Sequence, residues 1–270
     1  MLKTRIILLV VSLALVAGLF LLPKVVVEND NSISQAPGDT AAAANMEVHA
    51  RTPVGVLASI RNLRGQFEPG TTNEKNAIFA DSLAGLYATA GKFDSSAWFA
   101  EEASKFFDTE ESWTKAGDQY YQAYSFAVDR TRQSQFASRA QSFYKKVLDL
   151  NPSNLSVKTK LAMTYLTETN PMQAIGMLRE VLAADPDNEQ ALYNMGMLSI
   201  QSGQHDKAVN WLTKLVEANP EHTQGHLLLG IAYMNSGSKA KAKSQFEKVK
   251  QLDSDPSVQA TVDSYLKDIK

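Results

Sequence analysis

Not one of the chain's 270 residues is cysteine. Disulfides, thiolate metal sites, a cysteine nucleophile and a lipid-modified N-terminal cysteine are therefore excluded. Positive charge is in no excess either. There are 27 Lys and Arg against 29 Asp and Glu, and the net charge of −2 gives no global basic field to draw in nucleic acid. Histidine is scarce, with four residues, and no HExxH-type signature accompanies them. No phosphate-cradling glycine loop is readable, no nucleophile elbow with Ser, His and Asp, and no pair of carboxylates in a recognisable frame. The chain carries no catalytic signal, and no cofactor is expected.

What is present begins at the N-terminus. Lys3 and Arg5 precede residues 6–22, an uncharged run of 17 in which 13 are Leu, Ile, Val or Phe. As a helix it spans about 26 Å, slightly less than a bilayer core, and Lys3, Arg5 and Lys24 can snorkel to cover the difference. Three readings compete: an uncleaved transmembrane signal-anchor, a cleaved signal peptide, and a buried soluble helix. The anchor is favoured because apolar residues continue to Leu22, past the small pair Ala17 and Gly18, before Pro23 ends the run. The basic residues on its N-terminal side place the N-terminus in the cytoplasm and the rest of the chain outside it.

Residues 23–72 read as a flexible linker. The stretch 28–45, "ENDNSISQAPGDTAAAAN", is polar, small and free of helical period. Within 52–70 a short amphipathic helix fits, with Thr52 as N-cap, Pro53 at the first position, and Val56, Ile60 and Leu63 on one face. It packs on the following domain or lies on a membrane or partner surface.

The remainder repeats. "LYNMGMLSIQSG" (192–203) and "HLLLGIAYMNSG" (226–237) lie 34 residues apart, and each has a glycine inside a helical pattern, where glycine costs about 1 kcal/mol. Three units align without a gap from Leu155, Glu189 and Thr223. Position 8 holds Ala162, Gly196 and Gly230; position 20 holds Ala174, Ala208 and Ala242. Position 24 holds Leu178, Leu212 and Phe246, and proline closes the first two units at Pro186 and Pro220.

This pattern resembles the tetratricopeptide repeat (TPR). The resemblance implies an all-α, right-handed α-solenoid of antiparallel helix pairs, in which the small residues at 8 and 20 face each other where the two helices come closest. A larger side chain at Gly196 or Gly230 would then push the pair apart. Gly203 and Gly237 fall where a left-handed residue ends the first helix. Two further units fit upstream. The first, about 77–109, carries Ala84, Tyr87, Gly91, Ser96 and Ala103 at the expected spacings. The second, 110–154, carries Trp113, Gly117, Tyr120, Ala140, Tyr144 and Val147, with about 11 extra residues between its halves. Both its helices are read as lengthened, with a projecting turn near 129–133. With units at 155–188, 189–222 and 223–256 and a capping helix at 257–270, the array has about five pairs over residues 73–270, preceded by one N-terminal transmembrane helix.

In that family the first helices line a concave face and ligands are usually extended or helical peptides. Positions 5, 9 and 12 should line it: Thr159, Met163 and Leu166; Tyr193, Met197 and Ile200; Leu227, Ile231 and Met234. The stripe is apolar and methionine-rich, suited to varied apolar side chains. A hydrophobic peptide or partner helix fills it, or the chain's own linker or C-terminal helix, or it is closed by tight packing or self-association. The carboxylate clamp of chaperone-tail binders is rejected: only Asn194 matches, while Thr159, Met163, Gln224 and Leu228 replace its other residues.

Three weaker features remain. His222 and His226 are spaced i, i+4, with His205 and Glu221 as further metal ligands to consider, but they fall at an inter-repeat turn and helix start. "DPDNE" (185–189) lacks the glycine and distal glutamate of a calcium loop. Five lysines in 238–250 read as a solvated outer face, or as a contact for an acidic partner or anionic lipid. The expected function is a non-enzymatic scaffold in the bacterial inner membrane, anchored by residues 6–22, with its repeats in the periplasm binding a protein or peptide. The alternative is a structural or assembly subunit. It would act as a homo-oligomer or through the convex face, using Trp98, Trp113 and the projecting turn.

Overall fold

The computed structural model describes residues 52–167 and 171–269. All of them lie in one unit, Ala36–Lys270. The expected transmembrane anchor at 6–22 and most of the expected linker lie outside the described residues. Among the described residues no helix is long and apolar enough to cross a membrane.

Twelve α-helices and no strand make up the described part. A single helix, α1 (Val54–Gln66), leads into five pairs. These are α2 (Glu74–Thr89) with α3 (Phe93–Phe107), α4 (Glu110–Phe126) with α5 (Arg130–Leu150), and α6 (Leu155–Thr164) with α7 (Pro171–Ala184). They continue with α8 (Glu189–Gln201) and α9 (His205–Ala218), then α10 (Thr223–Asn235) and α11 (Lys239–Leu252). The closing helix is α12 (Pro256–Asp268). The expected five pairs and cap are thus seen, each helix packed on the next in chain order.

Two kinds of turn build the array. The turns between pairs end in a side chain that caps the next first helix. Asn73, Thr109, Asn154, Asn188, His222 and Asp255 each accept a backbone N–H from the first turn of the helix they precede. The turns within pairs use glycine instead. Gly203 has φ +71°; its N–H donates to Ile200 O and that of Gln204 to Ser199 O, which satisfies the last carbonyls of α8. Gly91 and Gly237 close α2 and α10 in the same way.

Two pairs lack that glycine and depart from the pattern. In the second, the turn falls at 127–129, earlier than the expected 129–133, and Asp129 caps α5. Both helices are long, with 17 and 21 residues. In the third, α6 ends after ten residues and passes into a 3-10 turn, Tyr165–Thr167, and Pro171 opens α7, where its missing N–H costs nothing.

The close approach within a pair is visible at position 8. A Cβ added to Gly196 would stand 2.5 Å from Leu212 Cγ, and one on Gly230 2.5 Å from Phe246 Cε1. Gly117 faces Tyr144 at 2.7 Å. The large residue at position 24, rather than the small one at 20, therefore fills the space over position 8, which corrects the sequence expectation. Position 20 works alongside it: Ala174, Ala208 and Ala242 are fully buried, and the Ser96 hydroxyl donates to Ala84 O at 2.7 Å.

Helix α1 belongs to this packing. Ile60 is buried, Val56 and Leu63 lean on the same core, and Phe67 sits edge-on to Trp98 and Phe99 at 5.8 and 5.2 Å. Arg64 donates to the Tyr87 hydroxyl at 3.2 Å. Folded structure therefore starts ahead of the boundary drawn at residue 73. Pro53, not Thr52, is the N-cap; its carbonyl accepts from Val56 N and no side chain caps the helix. At the other end Val262 is buried, while Val258, Tyr265 and Ile269 pack on Phe246 and its neighbours.

Candidate partner-binding face

Successive first helices touch one another. The first contacts are charged: Lys115 on α4 pairs with Asp81 on α2. Lys160 on α6 pairs with both carboxylate oxygens of Asp118 on α4 at 2.8 Å. Asp118 also accepts the Tyr144 hydroxyl at 2.8 Å, from inside its own pair. Burial first, and the Asp118 charge second, push that phenol far above its ordinary range, so it serves as a fixed donor. Tyr120 is held the same way by burial and by Glu101. An open depression of about 520 Å³ follows this stretch of α4, lined by Glu110, Glu111, Thr114, Lys115, Asp118 and Gln119.

Farther along the row the side chains turn apolar. Tyr193, Met197 and Ile200 on α8 and Leu227, Ile231 and Met234 on α10 are all half-buried. Each leans on a core cluster while keeping part of its surface in solvent. The Tyr193 ring stacks on His222 at 5.9 Å, and burial raises its phenol above the usual value.

The tetratricopeptide-repeat family model matches residues 165–229 and 199–262. The matched stretch runs from the end of α6 into α12. The fold of the earlier pairs follows the same packing, with Gly117 and Tyr144 as the equivalents of Gly230 and Phe246. Among solved structures, MamA 41-end from Desulfovibrio magneticus RS-1 aligns at 20% identity and a TM-score of 0.48, covering 67% of this chain and 97% of that one. A crystal structure of MamA aligns at 20% identity and 0.47, covering 65% and 91%. YrrB, described as a TPR protein with an unusual peptide-binding site, aligns at 16% identity and 0.44, covering 77% and 99%. No curated protein matches the chain.

Within the repeats, the nine expected groove residues do not share one environment. Six on α8 and α10, and Leu166, keep partial exposure. Thr159 and Met163 are buried, which corrects their assignment to an open groove. The Thr159 hydroxyl donates back to Leu155 O at 2.9 Å, and Met163 O accepts from Tyr124 at 3.3 Å. The neighbouring Lys160 takes the outward place. The charged half of the face was missed in the sequence, although a signal existed: Asp81 and Lys115 lie 34 residues apart and carry opposite charge.

The weaker candidates are tied into turns. His222 Nδ1 accepts the Gly225 N–H at 2.9 Å, and the two nitrogens of His226 contact Gln245 Oε1 and Pro220 O at 2.7 and 3.0 Å. Among the described residues no group of three His, Asp or Glu could hold a metal ion. In "DPDNE", Asp185 accepts from Asn188, and Asn188 caps α8. Trp98 is half-buried against Phe67, and Lys146 lies over the half-buried Trp113 ring at 5.1 Å.

Proposed function

We propose that the chain is a non-catalytic scaffold, tethered to a membrane through residues 6–22, whose repeats hold a protein or peptide partner on the first-helix face. The observation that carries this reading is the two-part character of that face. Paired charges at Asp81–Lys115 and Asp118–Lys160 lead into half-exposed apolar side chains from Tyr193 to Met234. An extended or helical segment with apolar side chains toward one end fits such a surface. Half-buried methionine and aromatic positions adapt to it without needing to move far. Every ion pair in the row is partly solvated, so a charged partner can exchange with it at little cost.

Lys3 and Arg5 ahead of the apolar run support an anchor in the bacterial inner membrane, with the N-terminus in the cytoplasm and the repeats in the periplasm. Tethering raises the effective concentration of a membrane-bound partner. The test is a photo-crosslinking residue at Met197 in intact cells. A defined heavier adduct is expected, its partner identified by mass spectrometry. Links only to the chain's own linker or tail would overturn the reading, and links only between copies would favour an assembly subunit.

A further inference from the structure

The helices alternate in direction. Glu189 meets Asn219 and Gly196 meets Leu212, so residues pair in opposite order along α8 and α9. At the start of the array, Asn76 binds Glu68 and Thr71 and closes the turn between α1 and α2 at one edge. The start of α1 therefore lies at the other edge, together with the turns inside the pairs. The chain enters the array there.

That edge carries an unusual tip. Val128 is 94% exposed and Phe126 57%; elsewhere on the same edge, at the start of α1, Val54 is 83% exposed. The tip is held in place rather than folded inward. Phe126 stacks on Phe93 at 4.3 Å, Arg132 pairs with Asp94 at 2.8 Å, and Asp129 caps α5. Beside it, Arg130 lies exposed in an open depression of about 560 Å³ that it shares with Thr131, Ser134, Gln135 and Ser138.

The geometry points to a lipid surface as the occupant of this edge. The apolar side chains enter the boundary between headgroups and acyl chains, while Arg130 and the hydroxyls beside it meet anionic headgroups. Three considerations select lipid over protein. The tip offers a few side chains, far short of the roughly 20 residues a side of a stable protein interface. Apolar Phe126 and Val128 stand beside exposed Arg130 and the hydroxyls of Thr131, Ser134 and Ser138, as the layering of a bilayer surface requires, while of the acids nearby Asp94 is paired with Arg132 and Asp129 is engaged as the cap of α5. The edge is also where the polypeptide arrives from the segment holding the apolar run 6–22. The inference rests on the membrane-tethered reading. It adds an orientation: the array stands on its turn edge, with the first-helix row running alongside the membrane.

The absence of cysteine makes the test clean. The full chain, carrying Val128→Cys labelled with an environment-sensitive fluorophore, is reconstituted with vesicles of phosphatidylcholine and phosphatidylglycerol. Blue-shifted emission that brominated lipids quench is expected. The same label at Ser153→Cys, on an inter-pair turn at the opposite edge, should keep its aqueous emission. A chain that floats with the vesicles while the Val128 probe stays aqueous overturns the lipid-facing edge and leaves the tether standing. A chain that fails to float overturns the tether and this proposal with it. A blue shift insensitive to brominated lipid, with energy transfer between labelled copies, assigns the tip to a second copy instead and overturns the proposal.

Discussion

The ring of Phe246 occupies the space that a side chain on Gly230 would need, with Cε1 2.5 Å from the position of an added Cβ. The glycine is thus a condition for the ring, and the ring anchors the last cluster by stacking on Tyr265 at 5.1 Å. Gly230→Leu should destabilise the array by about 2–3 kcal/mol through overpacking. Gly85→Ala is the matched contrast: it lies in α2 with nothing within 4 Å of the added carbon, and should stabilise by about 0.5–1 kcal/mol. Urea denaturation of the two variants checks the pair. Equal responses would refute the register.

Asp118 and Asp81 both pair with a lysine on the next first helix, but only Asp118 also accepts a buried phenol. Asp81→Ala should cost under about 1 kcal/mol and less at high salt. Asp118→Ala leaves the Tyr144 hydroxyl without its acceptor and should cost about 1–3 kcal/mol, largely insensitive to salt. Denaturation at low and at high ionic strength separates the two.

Tyr120, Tyr121, Tyr124, Tyr144 and Tyr193 all have phenols shifted upward, with burial as the leading cause. A folded-state value above the unfolded one means that the folded chain binds more protons at high pH. Its stability contribution is intact below pH ~10 and falls as pH rises past that point. Absorbance at alkaline pH should show the fully buried phenols of Tyr120 and Tyr144 ionising only together with loss of helical circular dichroism. Their smooth ionisation in folded protein would contradict the burial.

Phe67 closes the N-terminal end of the core over Trp98 and Phe99. Phe67→Ala should cost about 3–5 kcal/mol and shift tryptophan emission to the red as Trp98 meets water. Unchanged emission would mean that α1 is not seated on α3.

The repeat was legible because its constraints are local or strictly periodic. Gly203 and Gly237 announce left-handed turns, and the small residues at positions 8 and 20 recur at fixed spacing. Where one residue carries two roles, sequence reading failed. Thr52 was the better capping residue by type, yet Pro53 fixes the entry angle and its carbonyl starts α1. Thr159 and Met163 occupy groove positions by register, yet both are buried, with Met163 O accepting from Tyr124 of the preceding pair, and Lys160 takes the outward place. The Asp81–Lys115 pair joins position 5 of one unit to position 6 of the next, and a search that asks which residue type recurs at one position does not find a pair made between two different positions.

The unequal length of the first helices has a consequence for recognition. An array of near-identical units offers a long ligand several equivalent placements, offset from one another by one unit. In the first-helix row α2 and α4 have 16 and 17 residues, whereas α6, α8 and α10 have 10 to 13. This difference breaks the translational symmetry of the row. Under the proposed role, a segment lying along the row meets one step, from 17 residues in α4 to ten in α6, which sets its frame and keeps it from sliding along the repeats.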